Sequence, residues 1–314
     1  MLPVVADDGS FRSGYVALVG RPNVGKSTLL NALVGQKVAA TTHKPQTTRK
    51  NLLGVLHPRG AQILLLDTPG HHQAKGPLNR FMVAEAEQAI AEADVVGWVV
   101  EARTDNRVTP GNLCIAERIR AARKPVVLIS NKVDRVSDRR RLLVHVEAIK
   151  EVIGEQLVAA VPVSATRRKG LEAVVVELGR ALPEGPKYFD EELLTDQPER
   201  ALVSEFIREK VMLATKDELP YAAAVSLEAF EDERPRLVRI VATIHVERPS
   251  QKPIVIGRGG EKIRDIGRAA RKDIEFLVGS KVFLDLHVRV TSDWTNNRRS
   301  LAELGYTHTT EETG

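Results

Sequence analysis

The stretch Val19-Gly20-Arg21-Pro22-Asn23-Val24-Gly25-Lys26-Ser27-Thr28 decides the fold. An apolar run, Tyr15–Val19, precedes it and reads as a buried strand; a helical pattern, Ser27–Val34, follows at once. The spacing G-x-x-x-x-G-K-[ST] between a strand and a helix is that of a phosphate-binding loop. Gly20 and Gly25 let the backbone wrap closely, so that successive N–H groups and the helix N-terminus point at phosphate oxygens. Lys26 neutralises β/γ-phosphate charge and the Ser27 hydroxyl is placed to ligate Mg²⁺. Arg21, Pro22, Asn23, Val24 and Thr28 complete the expected nucleotide-binding set of this stretch.

Outward from the loop, strand-like runs at Arg49–Leu56, Ile63–Leu66, Val95–Val100, Val126–Ile129 and Val158–Val163 alternate with helical patterns at Leu78–Ala93, Asn112–Ala122 and Arg139–Ile153. Buried strands alternating with helices imply a mostly parallel, doubly wound sheet covered on both faces. Ligands of such folds bind beyond the carboxyl ends of the strands. With 314 residues, the chain is about twice the usual domain length, so two domains are expected. Its single cysteine, Cys114, excludes an internal disulfide framework and a cysteine-based zinc site. No apolar run reaches the ~18 residues of a membrane span, and Met1-Leu2-Pro3 does not open an export signal, so a cytoplasmic protein is expected.

Two further strand ends carry chemistry. Asn131-Lys132-Val133-Asp134 follows Val126–Ile129, and a carboxylate at Asp134 accepts two hydrogen bonds at once from the N1–H and exocyclic amine of guanine. Adenine offers no such donor pair and leaves the carboxylate unpaired, a penalty of roughly 2–3 kcal/mol. Lys132 lays its stem along the base and Asn131 ties this loop to the phosphate loop. Asp67-Thr68-Pro69-Gly70 ends the run Ile63–Leu66; Asp67 there holds Mg²⁺ through water, and the Gly70 N–H meets the γ-phosphate. Ser164-Ala165 is placed to present backbone N–H to guanine O6. In Lys44-Pro45-Gln46-Thr47-Thr48-Arg49, Thr48, or Thr47 in its place, completes the Mg²⁺ shell when a γ-phosphate is present, so this segment orders with GTP and loosens with GDP. The expected catalytic set is Lys26, Thr48 and Gly70, and the metal set Ser27, Thr48 and Asp67.

The formal net charge is +5, but residues 1–182 carry +9 and the remainder −4. A linker at 183–198, rich in proline and without apolar periodicity, separates the halves. Beyond it the expected order is a helix (Glu199–Leu213), strands Ala222–Phe230 and Leu237–Val246, a short helical turn, a long helix (Glu261–Val278), a strand (Val282–Val290) and a terminal helix (Trp294–Leu304): a small α+β domain. Ile256-Gly257-Arg258-Gly259-Gly260 contains G-x-x-G, which admits a nucleic-acid backbone against the main chain. Ile263, Ile266, Ala270 and Ile274 form the expected buried stripe of the long helix; Lys262, Arg264, Arg268, Arg271 and Lys272 load its other faces. Residues 252–272 hold seven basic against two acidic side chains, a concentrated patch in an acidic half. A basic helix of this kind also suits a membrane-surface signalling GTPase, acting in cell cycle or energy metabolism, that contacts anionic lipid.

Together these motifs resemble those of the translation-factor-type GTPases, and Lys44–Arg49 with Asp67-Thr68-Pro69-Gly70 resembles the Era family in particular. The element order of the second half resembles a type II KH domain, and Phe206-Ile207-Arg208-Glu209-Lys210, Leu219-Pro220-Tyr221 and Leu304-Gly305-Tyr306 are similar to that family too. The resemblance implies a G domain at 14–182 after an N-terminal extension at 1–13, a KH domain at 199–306 and a flexible tail at 307–314. It implies a Mg²⁺-dependent, slow GTPase that cycles between GTP and GDP, binds the 3′ end of 16S rRNA, assists maturation of the 30S subunit and associates peripherally with the inner membrane; a monomer is expected. His71, followed by His72, departs from the usual hydrophobic residue after Asp-Thr-Pro-Gly; it is counted with the expected nucleotide-binding residues, where it either orients the attacking water or stands as a solvated loop histidine.

Overall fold

The computed structural model describes residues 2–5, 10–70 and 76–307, which fold as two compact units. Of the described residues, the first unit takes in those up to Val38, Thr48–Gly70 and Met82–Asp196; the second takes in Ala39–Thr47, Gly76–Phe81 and those from Gln197 to Thr307. Two short stretches inside the 14–182 segment thus cluster with the C-terminal half.

The first unit is built on β1 (Arg12–Val19), α1 (Lys26–Val34), β2 (Leu52–Leu56), β3 (Ala61–Asp67), α2 (Pro77–Glu92, of which Met82 onward belongs here), β4 (Val95–Glu101), α3 (Pro110–Ala122), β5 (Val126–Asn131), α4 (Leu142–Ile153), β6 (Leu157–Pro162) and α5 (Leu171–Ala181). The sheet order is β2-β3-β1-β4-β5-β6, antiparallel at β2–β3 and parallel elsewhere. Strand alternation sorts the two cores. Ala17, Val19, Val96, Trp98 and Val100 face α2, α3 and α4 through Ala89, Ile90, Ile115, Ile119, Ile149 and Ile153, and α1 and α5 pack over the opposite face. Neighbouring strands depart to opposite sides at β1, so the loop after β1 sits at the topological switch point.

Two expectations shift here. The second strand begins at Leu52 and not at Arg49, because both the Asn51 N–H and its side-chain amide are drawn to Glu85, at 2.7 Å each. The expected linker is laid along the sheet as far as Leu194. Ser13 N–H donates to the Pro183 carbonyl at 3.1 Å and Gly185 N–H to Phe11 at 3.1 Å. The fully buried Gln62 amide accepts from Tyr188 and Phe189 N–H and donates to the Phe189 carbonyl. Proline and glycine erase side-chain periodicity, but backbone pairing holds the segment. The N-terminal extension is anchored likewise: Val5 N–H donates to Arg59, and the Val5 side chain fills the space beside Gly179.

In the second unit, α6 (Glu199–Ala214) and α7 (Leu219–Ala222) precede β7 (Ala224–Glu233), β8 (Leu237–Val246), α8 (Gln251–Ile256), α9 (Glu261–Val278), β9 (Val282–Val290) and α10 (Arg298–Glu303). β7 pairs antiparallel with β8, and β8 parallel with β9. Val238, Ile240, Ala242, Ile244 and Val246 form the apolar face of β8, and α6 and α9 pack together. The terminal helix starts at Arg298 and not at Trp294: the buried Trp294 indole donates to the Ala222 carbonyl at 2.8 Å, and the Asn297 side chain caps α10. Residues 308–314 of the expected tail lie outside the described residues. Among the described residues, no helix is long and apolar enough to cross a membrane.

Candidate functional site

Gly20 and Gly25 are needed for different reasons. A Cβ at Gly20 would stand 2.3 Å from the Val99 carbonyl oxygen, whereas Gly25 has φ +99° and caps α1. Lys26 opens α1 with its ammonium folded back on the Gly20 carbonyl at 3.3 Å. Burial lowers its pKa and the Asp67 carboxylate opposes that shift. Ser27 and Thr28 follow in the first turn of α1, half-buried, while Arg21 and Asn23 are exposed.

Three oxygens converge beside that helix start. Ser27 Oγ donates to Asp67 Oδ2 at 2.6 Å, Thr48 Oγ1 donates to the same oxygen at 3.0 Å, and the two hydroxyls are 2.9 Å apart. Asp67 is fully buried at the end of β3, and its Oδ1 has no hydrogen-bond partner. Burial raises its pKa, against Lys26 and the two hydroxyls. A buried, half-satisfied carboxylate beside two hydroxyl oxygens is a donor set that fits a hard divalent cation with open positions for water and phosphate. Thr48, and not Thr47, stands here; Thr47 Oγ1 is turned to Thr42 and to the Lys44 carbonyl. The Thr68 hydroxyl is bonded to the Leu18 carbonyl, Pro69 is buried, and Gly70 lies so close to Pro22 that a Cβ would be 3.0 Å from its backbone. His71 lies outside the described residues.

The base-side loop is wired to the phosphate loop by Asn131, which is 2% exposed. Its Nδ2 donates to the Val24 carbonyl at 2.9 Å; its Oδ1 accepts from Lys132 N–H at 2.8 Å and from Ala165 N–H at 3.1 Å. Lys132 has φ +65° and its ammonium reaches the Asn23 carbonyl at 2.6 Å; Val133 is buried beneath it. The Ser164 hydroxyl donates to Asp134 Oδ1, and this bond chiefly lowers the Asp134 pKa. The Ser164 and Ala165 N–H groups are given to the Lys169 carbonyl and Asn131 Oδ1, which differs from the expected display toward O6. The role of Ser164 in steadying Asp134 carries no sequence signal, because the two are thirty residues apart.

In the second unit, Gly257 has φ +75°, and a Cβ there would meet Lys262 at 2.7 Å. Gly259 and Gly260 also have positive φ, but open space surrounds them. Ile256 ends α8, Arg258 is exposed in the loop, and Arg264 bonds the Gly259 carbonyl at 3.0 Å. Between α9 and β9 runs a groove of about 400 Å³ lined by Ile263, Arg264, Gly267, Arg268, Arg271, Leu284, Asp285 and Leu286. The buried stripe of α9 is Ile266, Ala270, Ile274 and Val278; Ile263 leaves it for the groove. Lys262 and Lys272 lie outside the groove lining, and Arg268 is shared with Asp265 at 2.9 Å. Gly267, Leu284 and Leu286 were not among the expected site residues; Gly267 brings the helix within 3.4 Å of Leu286, measured from the position of a Cβ.

Fold and site together define a P-loop GTPase unit followed by a KH-type module. Family models agree: one described as a 50S ribosome-binding GTPase matches residues 15–132 and one described as a KH domain matches residues 218–295. GTPase Era of Geobacter metallireducens is 47% identical over 96% of this chain and 99% of its own length, and GTPase Era of Syntrophus aciditrophicus is 44% identical over 94% and 95%. The chain therefore belongs to the GTPase Era family, and it is a GTPase. A crystal structure of Era in complex with MgGDPNP and nucleotides 1506–1542 of 16S ribosomal RNA superposes with a TM-score of 0.89, at 38% identity over 95% of this chain and all of that one. A single-residue variant of Aquifex aeolicus Era, bound to GDP·AlF4⁻, gives the same values.

Proposed function

We propose that this GTPase is a nucleotide-controlled RNA-binding factor acting on the 3′ end of 16S rRNA during assembly of the 30S subunit, as a cytoplasmic monomer. In this reading Asp134 selects guanine, Asn131 and Lys132 hold the base loop to the phosphate loop, and the N–H groups of residues 20–27 receive the phosphates. Ser27, Thr48 and Asp67 would hold Mg²⁺, Asp67 through water. When bound, Mg²⁺ would supply positive charge that offsets the charge of the phosphates. Lys26, already partly stripped of water, adds charge where it develops as the γ-phosphoryl group transfers to water, and the Gly70 N–H faces the same group. In this reading the barrier is lowered mainly by Lys26, the cation and backbone donors, and intrinsic hydrolysis is slow.

The observation that carries the RNA half is the α9–β9 groove, with an apolar floor of Ile263, Leu284 and Leu286, a rim of three arginines, and G-x-x-G at one end. Apolar floors take unstacked bases and arginines take their phosphates. The RNA in the related Era complex supports the choice of ligand. Beyond the basic faces of α9, nothing among the described residues adds to the peripheral membrane contact implied by the resemblance, and it forms no part of this reading. The test is binding of a labelled oligonucleotide of the 16S 3′ end by the full chain and by Gly259→Asp. Gly259 sits at φ +59° with nothing within 4 Å, so the variant is expected to fold and to keep GTP hydrolysis. It should lose RNA affinity tenfold or more; unchanged affinity would remove the groove from the account.

A further inference from the structure

The segment that leads into Thr48 is gripped by α6. Arg208, fully buried, sends Nη1 to the Gln46 carbonyl at 3.4 Å and Nη2 to the Thr47 carbonyl, while Nε bonds Glu205 Oε1 at 3.0 Å. Burial works against its charge. The Glu205 carboxylate, by charge and by hydrogen bond, leads the groups that outweigh burial, so the guanidinium pKa is raised and the fork stays charged. Lys44 places its ammonium on the last carbonyls of the helix region, those of Met212 and Thr215. The next residue of α6, Glu209, accepts the Thr41 N–H at 3.1 Å and pairs with Lys210, which also meets Asp273 of α9. Gln46 in turn donates to Asn79 at 3.1 Å. A buried charge aimed at two successive main-chain carbonyls needs an explanation, since packing alone would be served by an apolar side chain.

The peptide plane supplies one. The Thr47 carbonyl oxygen and the Thr48 nitrogen belong to one rigid planar unit, so fixing that oxygen fixes the plane from which Thr48 departs. We infer that Arg208, with Lys44, is a positioning residue for GTP hydrolysis: by holding the Gln46 and Thr47 carbonyls, it sets the Thr48 hydroxyl beside Ser27 and Asp67. The inference rests on the proposed role of Thr48 in holding Mg²⁺. The bonds of Arg208 run to Glu205, Met212 and the Gln46 and Thr47 carbonyls, so it acts on Thr48 through the backbone. Lysine in its place keeps a charge but cannot span two carbonyls with a planar fork.

Four full-length proteins test this: wild type, Arg208→Lys, Thr48→Ala and the double variant. Single-turnover GTP hydrolysis is followed over a Mg²⁺ series, and GDP affinity is measured by calorimetry. Arg208→Lys should slow hydrolysis tenfold or more and raise the Mg²⁺ concentration at half-maximal rate, with GDP affinity within twofold of wild type. In the Thr48→Ala background, Arg208→Lys should add less than a twofold loss, because both act on one hydroxyl. Additive losses, a parallel fall in GDP affinity, or a rate within twofold of wild type would each overturn the inference. Should Arg208→Lys fail to fold, Lys44→Met carries the same comparison, since its loss frees the helix carbonyls to water. A wild-type rate indifferent to Mg²⁺, or a Thr48→Ala variant with the wild-type Mg²⁺ profile, would overturn the assignment of Thr48, and this inference with it.

Discussion

Replacing Asn131 by alanine removes three hydrogen bonds with one side chain. The Val24 carbonyl loses its donor at 2.9 Å, and the Lys132 and Ala165 N–H groups lose their acceptor at 2.8 and 3.1 Å. Val24 and Ala165 are buried at 5% and 4% exposure, so neither freed group recovers a partner from bulk water. Each buried group left unpaired costs about 1–3 kcal/mol, which puts the total near ~2–6 kcal/mol. Much of this cost should fall on the nucleotide complex, because it is the register of the two loops that is lost. A loss of ~3–4 kcal/mol in binding corresponds to a dissociation constant raised ~10²–10³-fold. Calorimetric titration with GDP and with a non-hydrolysable GTP analogue should show equal losses for both, since Asn131 touches no γ-phosphate ligand. An affinity within threefold of wild type, in a variant of unchanged urea midpoint, would refute the idea that this side chain joins the loops.

Other outcomes follow from the same geometry. Asp134→Asn swaps one acceptor for a donor, so GTP affinity should fall at least ~30-fold while xanthosine triphosphate, with a carbonyl in place of the exocyclic amine, gains in competition assays. Gly20→Ala drives a methyl group to 2.3 Å from the Val99 carbonyl; a loss of about 2–4 kcal/mol in urea denaturation is expected, and a neutral outcome would show that β4 yields. His145 and His245 are buried, and in both desolvation leads in lowering the pKa, followed by a nearby arginine. Below the unfolded value of about 6.5 the unfolded chain therefore binds more protons than the folded one, and stability falls with pH by up to ~1.4 kcal/mol per unit for each histidine until the folded pKa is reached. Urea midpoints between about pH 7.5 and 5.5, which bracket that value, should show the slope, and His145→Gln with His245→Gln should flatten it.

Much of this was legible in the residues because the chemistry is local. The phosphate loop, Asp67 and Asn131–Asp134 each follow a strand whose apolar run is unmistakable, and α9, β8 and β9 have the limits that their periodicity sets. What the sequence hid is non-local or lacks side-chain rhythm. The 183–194 segment reads as a linker because proline and glycine carry no pattern, yet its backbone pairs with Phe11, Ser13 and Val55. Ser164 steadies Asp134 across thirty residues, and Leu284 and Leu286, which alternate like any core strand, floor a groove because Gly267 thins the facing helix. Arg208 and Lys44 both stand in motifs that the sequence displays, but no spacing rule shows a guanidinium buried against two carbonyls 161 and 162 residues away.

The central claim, that guanosine nucleotide state governs RNA grip, is tested most directly by one titration. A fluorescent oligonucleotide of the 16S 3′ end is bound to the full chain at one fixed salt concentration, saturated with Mg²⁺ and either GDP or a non-hydrolysable GTP analogue. A coupling of ~1–3 kcal/mol predicts at least fivefold tighter binding with the analogue. Identical curves for the two nucleotides would contradict it.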